Sequence, residues 1–317
     1  MSDLLILSND DVRSLISVPE CIDIIEDLFK DLSDTQMPPK VYLDIPNGDF
    51  RAMPAVVKNT AGIKWCGLHL DETGKKRKVN IFAKVLINDV DSGSLLSIMD
   101  AEAITSIRTA AVTGVATKYL SPPDSKIAAF IGCGTQTPHQ IEAVRSVRDI
   151  EHIKLFDLDH ATAVSLANRL EGNVHVCGSL EECVRSSDII TTLTPSRKGF
   201  IEYRWLQKRC HVNAVGADAE GKREVCLPVL RNVDVIVFDE WEQCSHSGEI
   251  QYLKGIETHS PLLSLEHVVS GPPNRYWNQS LFDATGLAIE DVVTGRYIYE
   301  KCKSMSNSVP TRWYKTV

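Results

Sequence analysis

Long apolar runs, excess positive charge and closely paired cysteines are all scarce in this chain. No stretch approaches the ~18 uninterrupted apolar residues that a membrane-spanning helix needs. The N-terminus, MSDLLILSNDD, lacks the basic segment, apolar core and cleavage site of a secretory signal, so a cytoplasmic location is expected. Basic residues are outnumbered, with 34 Lys plus Arg against 42 Asp plus Glu, a formal net charge of −8. An anionic chain is repelled by nucleic acid and by anionic membranes unless a local basic patch dominates, and neither partner is expected. The one basic run, Lys75 to Lys78, follows Gly74 and reads as a solvated turn. The nine cysteines are scattered and never spaced as CxxC, which fits reduced thiols buried as small core residues. The histidines show no HExxH or Cys/His ligand spacing, so no metal site is expected. A GxSxG elbow and a GxxxxGK[ST] phosphate loop are also missing, which argues against a hydrolase or an NTPase.

What is present divides at Ser121-Pro122-Pro123-Asp124. Before it the pattern is α+β. Pro19 to Leu32 places Ile22, Ile25, Leu28, Phe29 and Leu32 on one helical face, with Ser17 and Pro19 as start signals. Strand-like segments follow: KVYLDI, the alternation around Arg51, GIKWCGLHL and NIFAKVLINDV, then an Asp91-Ser92-Gly93 turn and SLLSIMD. Glu102 to Leu120 reads as a long helix rich in Ala and Thr. After the proline pair, short apolar strands alternate with helices: KIAAFIG, HIKLFDLD, NVHV, DIITTLT, HVNAVGAD and VDVIVFDE. That alternation predicts an α/β domain with a parallel sheet covered on both faces. From about Asp283 one last amphipathic helix is expected to pack back on the first domain.

In FIGCGTQT a strand ends at Ile131, with glycines at Gly132 and Gly134 before a helix starting near Gln136. This is the placement a dinucleotide site needs, with a tight turn, close backbone approach to the pyrophosphate and a helix N-terminus aimed at it. Thr137 replaces the third glycine, which serves helix packing more than phosphate contact. Asp157 ends the next strand, where a carboxylate can accept the adenosine ribose hydroxyls and repel a 2′-phosphate, so NAD is expected over NADP. Asp159 is the substitute candidate. Chemistry belongs outside the carboxyl ends of such strands. Three loops land there: Thr191 to Ser196, Gly216-Ala217-Asp218 and Asp239-Glu240. Asp218, after two small residues, is either a group aimed at the nicotinamide end of the cofactor or a helix N-cap. Arg51, Lys64 and Arg108 lie in otherwise apolar settings upstream. Each could be a structural ion pair, and together they could form an anion pocket for a substrate carboxylate.

Together the motifs MPPKVYLDI, RAMPA, GIKW, SIRTAA, FIGCGTQ, TTLTPSRK, NAVGADAEGK, GEI and FDATGLAIED resemble the ornithine cyclodeaminase and mu-crystallin family, which also holds alanine dehydrogenases and ketimine reductases. The resemblance implies a substrate-binding and dimerisation domain over 1–121 and about 287–317, a Rossmann NAD-binding domain over 122–286, and a homodimer. It implies that Arg51, Lys64, Arg108 and Thr285 meet substrate, and that Asp218 and Lys64 are catalytic. It further implies that Thr109, Thr135, Gln136, Asp157, Thr192, Val215 and Lys222 line the cofactor beside Gly132 and Gly134. Two positions depart from the family pattern: Asn80 stands where many members have threonine, and Ala284 where a serine often precedes Thr285. Lys84 is a candidate substrate-specific addition.

The implied reaction is at the Cα–N bond of a small L-amino acid or its imine. Hydride passes to NAD and leaves an iminium carboxylate. Attack by a δ-amino group gives ornithine cyclodeamination to proline and ammonia, the first-ranked outcome. Attack by water gives an alanine-type dehydrogenase. The reverse direction from a cyclic imine gives a ketimine or pyrroline-2-carboxylate reductase. A non-catalytic NAD(P)H and small-ligand binder of the mu-crystallin type is the remaining alternative. Asp218, where that branch carries an uncharged residue, argues against it.

Overall fold

In the computed structural model the described residues are 4–71, 78–271, 277–305 and 312–314. Most of the Lys75 to Lys78 run and the side chain of Asn80 lie outside what is described. The chain separates into two compact units, Met1–Arg108 with Leu287–Val317, and Thr109–Gly286. Among the described residues no helix is long and apolar enough to cross a membrane.

The first unit opens with β1 (Leu4–Leu7), α1 (Asn9–Leu15), α2 (Val18–Lys30), β2 (Thr35–Gln36), β3 (Val41–Ile45), β4 (Gly48–Val57), β5 (Thr60–Asp71), β6 (Lys78–Asp89) and β7 (Leu95–Asp100). The helix α3 (Ala101–Leu120) follows without a break. In the second unit come β8 (Ile127–Ile131), α4 (Thr137–Val147), β9 (His152–Phe156), α5 (His160–Ala167), β10 (Asn173–Val176), α6 (Leu180–Val184) and β11 (Ile189–Thr192). Then follow β12 (Arg197–Ile201), β13 (Cys210–Ala214), β14 (Arg223–Val225), α7 (Leu227–Asn232), β15 (Val235–Phe238), α8 (Trp241–Ser247), β16 (Leu262–Ser264), α9 (Leu265–Ser270) and β17 (Gln279–Asp283). The helix α10 (Ala288–Ser304) and β18 (Arg312–Tyr314) return to the first unit.

Local sequence accounts for the helix starts. Ser17 and Glu20 form a reciprocal capping box at α2, the Ser17 amide donating to Glu20 at 2.9 Å, with Pro19 in the first turn where its missing N–H is harmless. The first unit's sheet runs β18-β1-β7-β6-β5-β4-β2, with β3 on β4, and is antiparallel except where β1 meets β7. Register pairs Lys64 with Met53 and Val85, and Arg51 with Cys66. Side chains alternate across a strand, so Arg51, Lys64 and Cys66 share one face. α10 packs on that face. A Cβ on Gly62 would meet Val292 at 2.9 Å, and one on Gly295 would meet Ile87 at 2.9 Å, so glycine on both elements permits the close approach.

In the second unit, among the described residues, eight parallel strands are ordered β10-β9-β8-β11-β13-β17-β15-β16, the doubly wound arrangement the alternating pattern predicts. β11, β13 and β17 are buried at every position. The sequence reading misses β17 and runs the last helix from Asp283. Asp283 in fact ends this central strand, Gly286 turns the chain at φ +75°, and the helix begins at Ala288. QSLFD has no alternation because both faces of a central parallel strand are covered. α10 is likewise buried around most of its circumference and is not amphipathic. The units separate at Arg108/Thr109, inside α3, whereas the proline turn places the change of character after Ser121. The second half of α3 is tied to the second unit, with Arg148 donating to the carbonyls of Thr117, Lys118 and Ser121 and Asn213 donating to Thr117 Oγ1.

His211 lies fully buried in β13, its Nδ1 2.9 Å from Ser280 Oγ and its Nε2 2.9 Å from Asn213 Oδ1. Both ring nitrogens thus face neutral polar side chains, while Ser280 Oγ donates its own hydrogen to the Leu120 carbonyl at 2.9 Å. Burial pulls its pKa down to about 3, against the hydrogen bond to Asn213, which raises it. The unfolded chain therefore binds a proton below pH ~6.5 that the folded chain refuses, and stability falls as pH drops from there toward 3, by up to about 1.4 kcal/mol per pH unit. Urea unfolding across pH 4–7 is expected to show a shallower acid loss in His211→Gln than in the unmodified protein. Equal slopes in the two proteins would overturn this assignment.

Candidate active site

In the first unit two cations converge on two acids. Lys64 Nζ lies 2.8 Å from Asp291 Oδ2. Arg108 reaches Asp291 Oδ1 through Nε at 3.0 Å and Glu290 Oε2 through NH1 at 2.9 Å. Lys64 is 3% exposed, Arg108 5%, and both acids 0%, so each charge is compensated locally rather than by water. Burial, then the neighbouring Arg108, pulls the Lys64 pKa down to about 8 against the attraction of Asp291. Burial pushes Asp291 up, but Arg108 and Lys64 together outweigh it and hold the carboxyl below its usual range. The two acids sit in the first turn of α10, where the helix dipole also favours negative charge. The structure thus brings Lys64 and Arg108 together. Arg51 shares their sheet face but donates to Asp49 at 2.6 Å and stacks over the Tyr42 ring at 5.3 Å. Lys84 pairs in register with Trp65, on the opposite face from Lys64, and is ion-paired to Asp100.

In the second unit the glycine turn follows β8. Gly132 has φ +93°, and a Cβ there would meet the Leu193 carbonyl oxygen at 2.8 Å, so only glycine fits. Around Gly134 a Cβ would meet nothing within 4 Å, which leaves the backbone open to a phosphate. Gly134 and Thr135 are exposed, Gln136 is half-buried, and α4 begins at Thr137, whose hydroxyl donates to the Gly132 carbonyl at 2.7 Å. Thr137 therefore braces the turn through its side chain at the position where the motif has a third glycine. Asp157 accepts from the Cys133 amide and from the Asp159 amide, each at 2.8 Å, and keeps further lone pairs for a ribose. Asp159 is the N-cap residue of α5. These features fit a dinucleotide: a turn that only glycine can make, an open approach at its tip and a carboxylate at the end of the next strand.

Asp218 follows β13 and is half-buried, its carboxylate ion-paired to Lys222. Beneath it lies an acid that the sequence reading passed over. Glu224 is fully buried. It accepts from Thr192 Oγ1 at 2.7 Å, the Thr194 amide at 2.6 Å, Thr194 Oγ1 at 2.8 Å and the Gly216 amide at 2.8 Å. A Cβ on Gly216 would meet Glu224 Oε1 at 2.6 Å and the Thr194 carbonyl oxygen at 2.3 Å, which explains glycine there. Burial pushes the Glu224 pKa up, opposed by these hydrogen bonds. The Thr192 hydroxyl is thus committed to Glu224, while the backbone of Val215 donates to the Thr192 carbonyl.

Each acid in this region is held by the next. The Glu224 amide donates to Glu249 Oε1 at 2.5 Å, and the amides of Glu249 and Ile250 donate to Asp283 at 2.9 Å each. Asp239 in turn accepts from the amides of Thr285 and Gly286 at 2.6 and 2.8 Å and from the Thr285 hydroxyl at 3.1 Å. Burial pushes Asp283 up to about 7, and burial with the nearby Asp283 raises Glu249 well above the usual carboxylate range. A sequence signal existed in the motifs GKREV, GEI and FDATG, each of which places one acid beside small or β-forming residues. Nothing in their spacing reveals that they meet. Thr109, half-buried in α3, accepts at its carbonyl from Thr113 Oγ1, and Ala284 is buried.

The profile of the family described as Ornithine cyclodeaminase/mu-crystallin matches residues 2–306. The chain belongs to this family. An alanine dehydrogenase of Archaeoglobus fulgidus is 35% identical over 326 residues, covering 99% of each chain. Among solved structures, an archaeal alanine dehydrogenase dimer with bound NAD is similar to this ornithine cyclodeaminase/mu-crystallin family member with a TM-score of 0.89 at 36% identity, covering 98% of this chain and 99% of that one. The Thermococcus litoralis Δ1-pyrroline-2-carboxylate reductase, in complex with NADH and L-proline, has a TM-score of 0.87 at 31% identity, covering 95% and 98%.

Glu224→Ala leaves up to four buried donors without an acceptor and is expected to destabilise the protein on the order of 3–5 kcal/mol. Thermal unfolding measures this. Loss below about 1 kcal/mol would mean that water replaces the carboxylate and that Glu224 does not hold the loops.

Proposed function

We propose that the protein is an NAD-dependent enzyme that acts at the Cα–N bond of a small L-amino acid or its imine, with net amino-acid dehydrogenation as its reaction. The observation that carries this reading is Asp218, held at the carboxyl end of β13 beside Lys222 on a loop that Glu224 anchors through Gly216. A half-buried carboxylate fixed in this way can take a proton from, or return it to, a substrate amine, as positioned acid/base catalysis requires. Bound NAD supplies the hydride acceptor. Gly132, Gly134, Thr135 and Gln136 would receive its pyrophosphate on backbone donors, with Asp157 on the ribose favouring NAD over NADP. Thr109, Thr192, Val215 and Lys222 complete the proposed cofactor set. Lys64 and Arg108, with Arg51, are the cations assigned to the substrate carboxylate, and Thr285 is assigned to the substrate. Asp291 and Glu290 fix the orientation of Lys64 and Arg108. The pull of burial on Lys64 makes it the cation whose proton is most easily exchanged near neutral pH.

Dehydrogenation is preferred over ornithine cyclodeamination because the relatives matched over nearly their whole length at 35–36% identity are alanine dehydrogenases. Purified protein with NAD and single amino acids is expected to release ammonia and accumulate NADH together. Ammonia without net NADH would instead establish cyclodeamination, and turnover only from cyclic imines a reductase. Asp218→Ala is expected to lose at least about a hundredfold in kcat while retaining NADH binding by fluorescence. Near-normal turnover in that variant would sink the assignment.

The first unit, with α10, is proposed as the dimerisation domain, with a second copy of this chain as the partner. The sheet face opposite Lys64 exposes Leu43, Ile45, Phe50, Trp65 and Phe82, with Phe82 68% exposed and the Phe50 and Trp65 rings stacked 5.5 Å apart. A contiguous apolar face of this kind on an otherwise well-buried unit marks an association surface. Phe82→Glu is expected to convert a dimer to a monomer in analytical ultracentrifugation. An unchanged mass in that variant would place the interface elsewhere.

A further inference from the structure

Among the described residues, one group of histidine, cysteine and carboxylate side chains comes together away from the acid network, at the edge of the second unit's sheet: His175, Cys177 and Glu182. We propose that these three side chains form a binding site for a divalent cation of the zinc class. No metal site is expected from the sequence, and the donors are spaced as H-x-C-x4-E, a pattern that only the fold makes compact. His175 lies in the edge strand β10 and Cys177 one residue past its end, where its amide still pairs with the Leu155 carbonyl of β9, so the two point to the side opposite Val174 and Val176. The turn at Gly178-Ser179 then starts α6, and Glu182, in its first turn, comes back over them. The Gly178 amide donates to Glu182 Oε2 and the Glu182 amide to Ser179 Oγ, fixing the carboxylate in place.

The ligand atoms lie within 4.8 Å of one another, and His175 Nε2 is 2.8 Å from Glu182 Oε1. With metal–ligand bonds of about 2.0–2.3 Å, donors on a tetrahedron stand roughly 3.3–3.8 Å apart, so side-chain movements of under an ångström close the site. The donor set selects the ion. One sulfur, one imidazole nitrogen and one carboxylate oxygen suit zinc, whereas calcium and magnesium take oxygen alone. Three protein ligands leave a fourth position for water. Cys177 is 1% exposed and gives a rigid anchor, while His175 and Glu182 face solvent and provide the route of entry. Cys183, fully buried, packs in the same core cluster as Cys177 behind the site. The nearby Lys154 ammonium is committed to the carbonyls of Glu182 and Arg185. On binding, His175 coordinates through Nε2 as the neutral ring with its hydrogen on Nδ1, and Cys177 binds as the thiolate, its thiol proton passing to solvent.

The test uses the full-length protein stripped with a chelator and titrated with Co²⁺, then with Zn²⁺ in competition. One Co²⁺ per chain is expected, with a thiolate-to-cobalt charge-transfer absorption that Zn²⁺ abolishes. Cys177→Ser is expected to lose that absorption, and the surface changes His175→Ala and Glu182→Gln to weaken binding by at least about tenfold. Cys210→Ser, a buried cysteine at the start of β13, serves as the control and is expected to keep both absorption and affinity. Should Cys177→Ser not fold, the two surface variants decide alone. No bound cobalt, or equal affinity in His175→Ala, Glu182→Gln and the unmodified protein, overturns the site.

Discussion

A carboxylate removed from water must find donors or cations within the fold, and much of this protein is arranged around meeting that requirement. In the second unit it is met by backbone amides. Glu224 gathers the loops after β11 and β13, Glu249 holds the backbone of Glu224, Asp283 holds the backbone of Glu249, and Asp239 holds the turn at Thr285. Burial alone would neutralise these groups, and it does push Asp283, Glu224 and Glu249 upward. The convergent donors are what make the arrangement tolerable, and they also fix loops that would otherwise be free to move.

The first unit answers the same constraint with ion pairs. Asp291 and Glu290 neutralise Lys64 and Arg108 in a dry setting, on a helix that closes onto the sheet because Gly62 and Gly295 let the backbones approach. Two elements far apart in sequence thereby fix the direction of two cations. That is a stronger requirement than packing alone, since either cation without its acid would be an uncompensated buried charge.

Local patterns made much of the fold legible. The capping box at Ser17, the proline pair at 122–123, the strand and helix alternation and the glycine turn at Gly132 are all features of neighbouring residues, and each corresponds to an element in the structure. β17 was not legible, because in QSLFD only Leu281 and Phe282 are apolar, set between Ser280 and Asp283. The cations Lys64 and Arg108 could be picked out by their apolar surroundings. Their partners could not, because a charge in the first turn of a helix reads as ordinary capping until the helix is seen to lie on β5.

By itself the sequence determined the class of each unit, the dinucleotide turn with its Gly132 and Asp157, and membership of a family, since these depend on short-range spacing and on motifs in order. The tertiary structure alone decided which charges meet. Arg51 goes to Asp49, Lys84 turns to the opposite face from Lys64, Glu224 becomes the anchor of two loops, and His175 with Cys177 comes under Glu182. The physical reason is that a charge's partner is set by distance in space, and the pairing of strands with the return of helices over them decides which side chains meet, whether near or far in sequence.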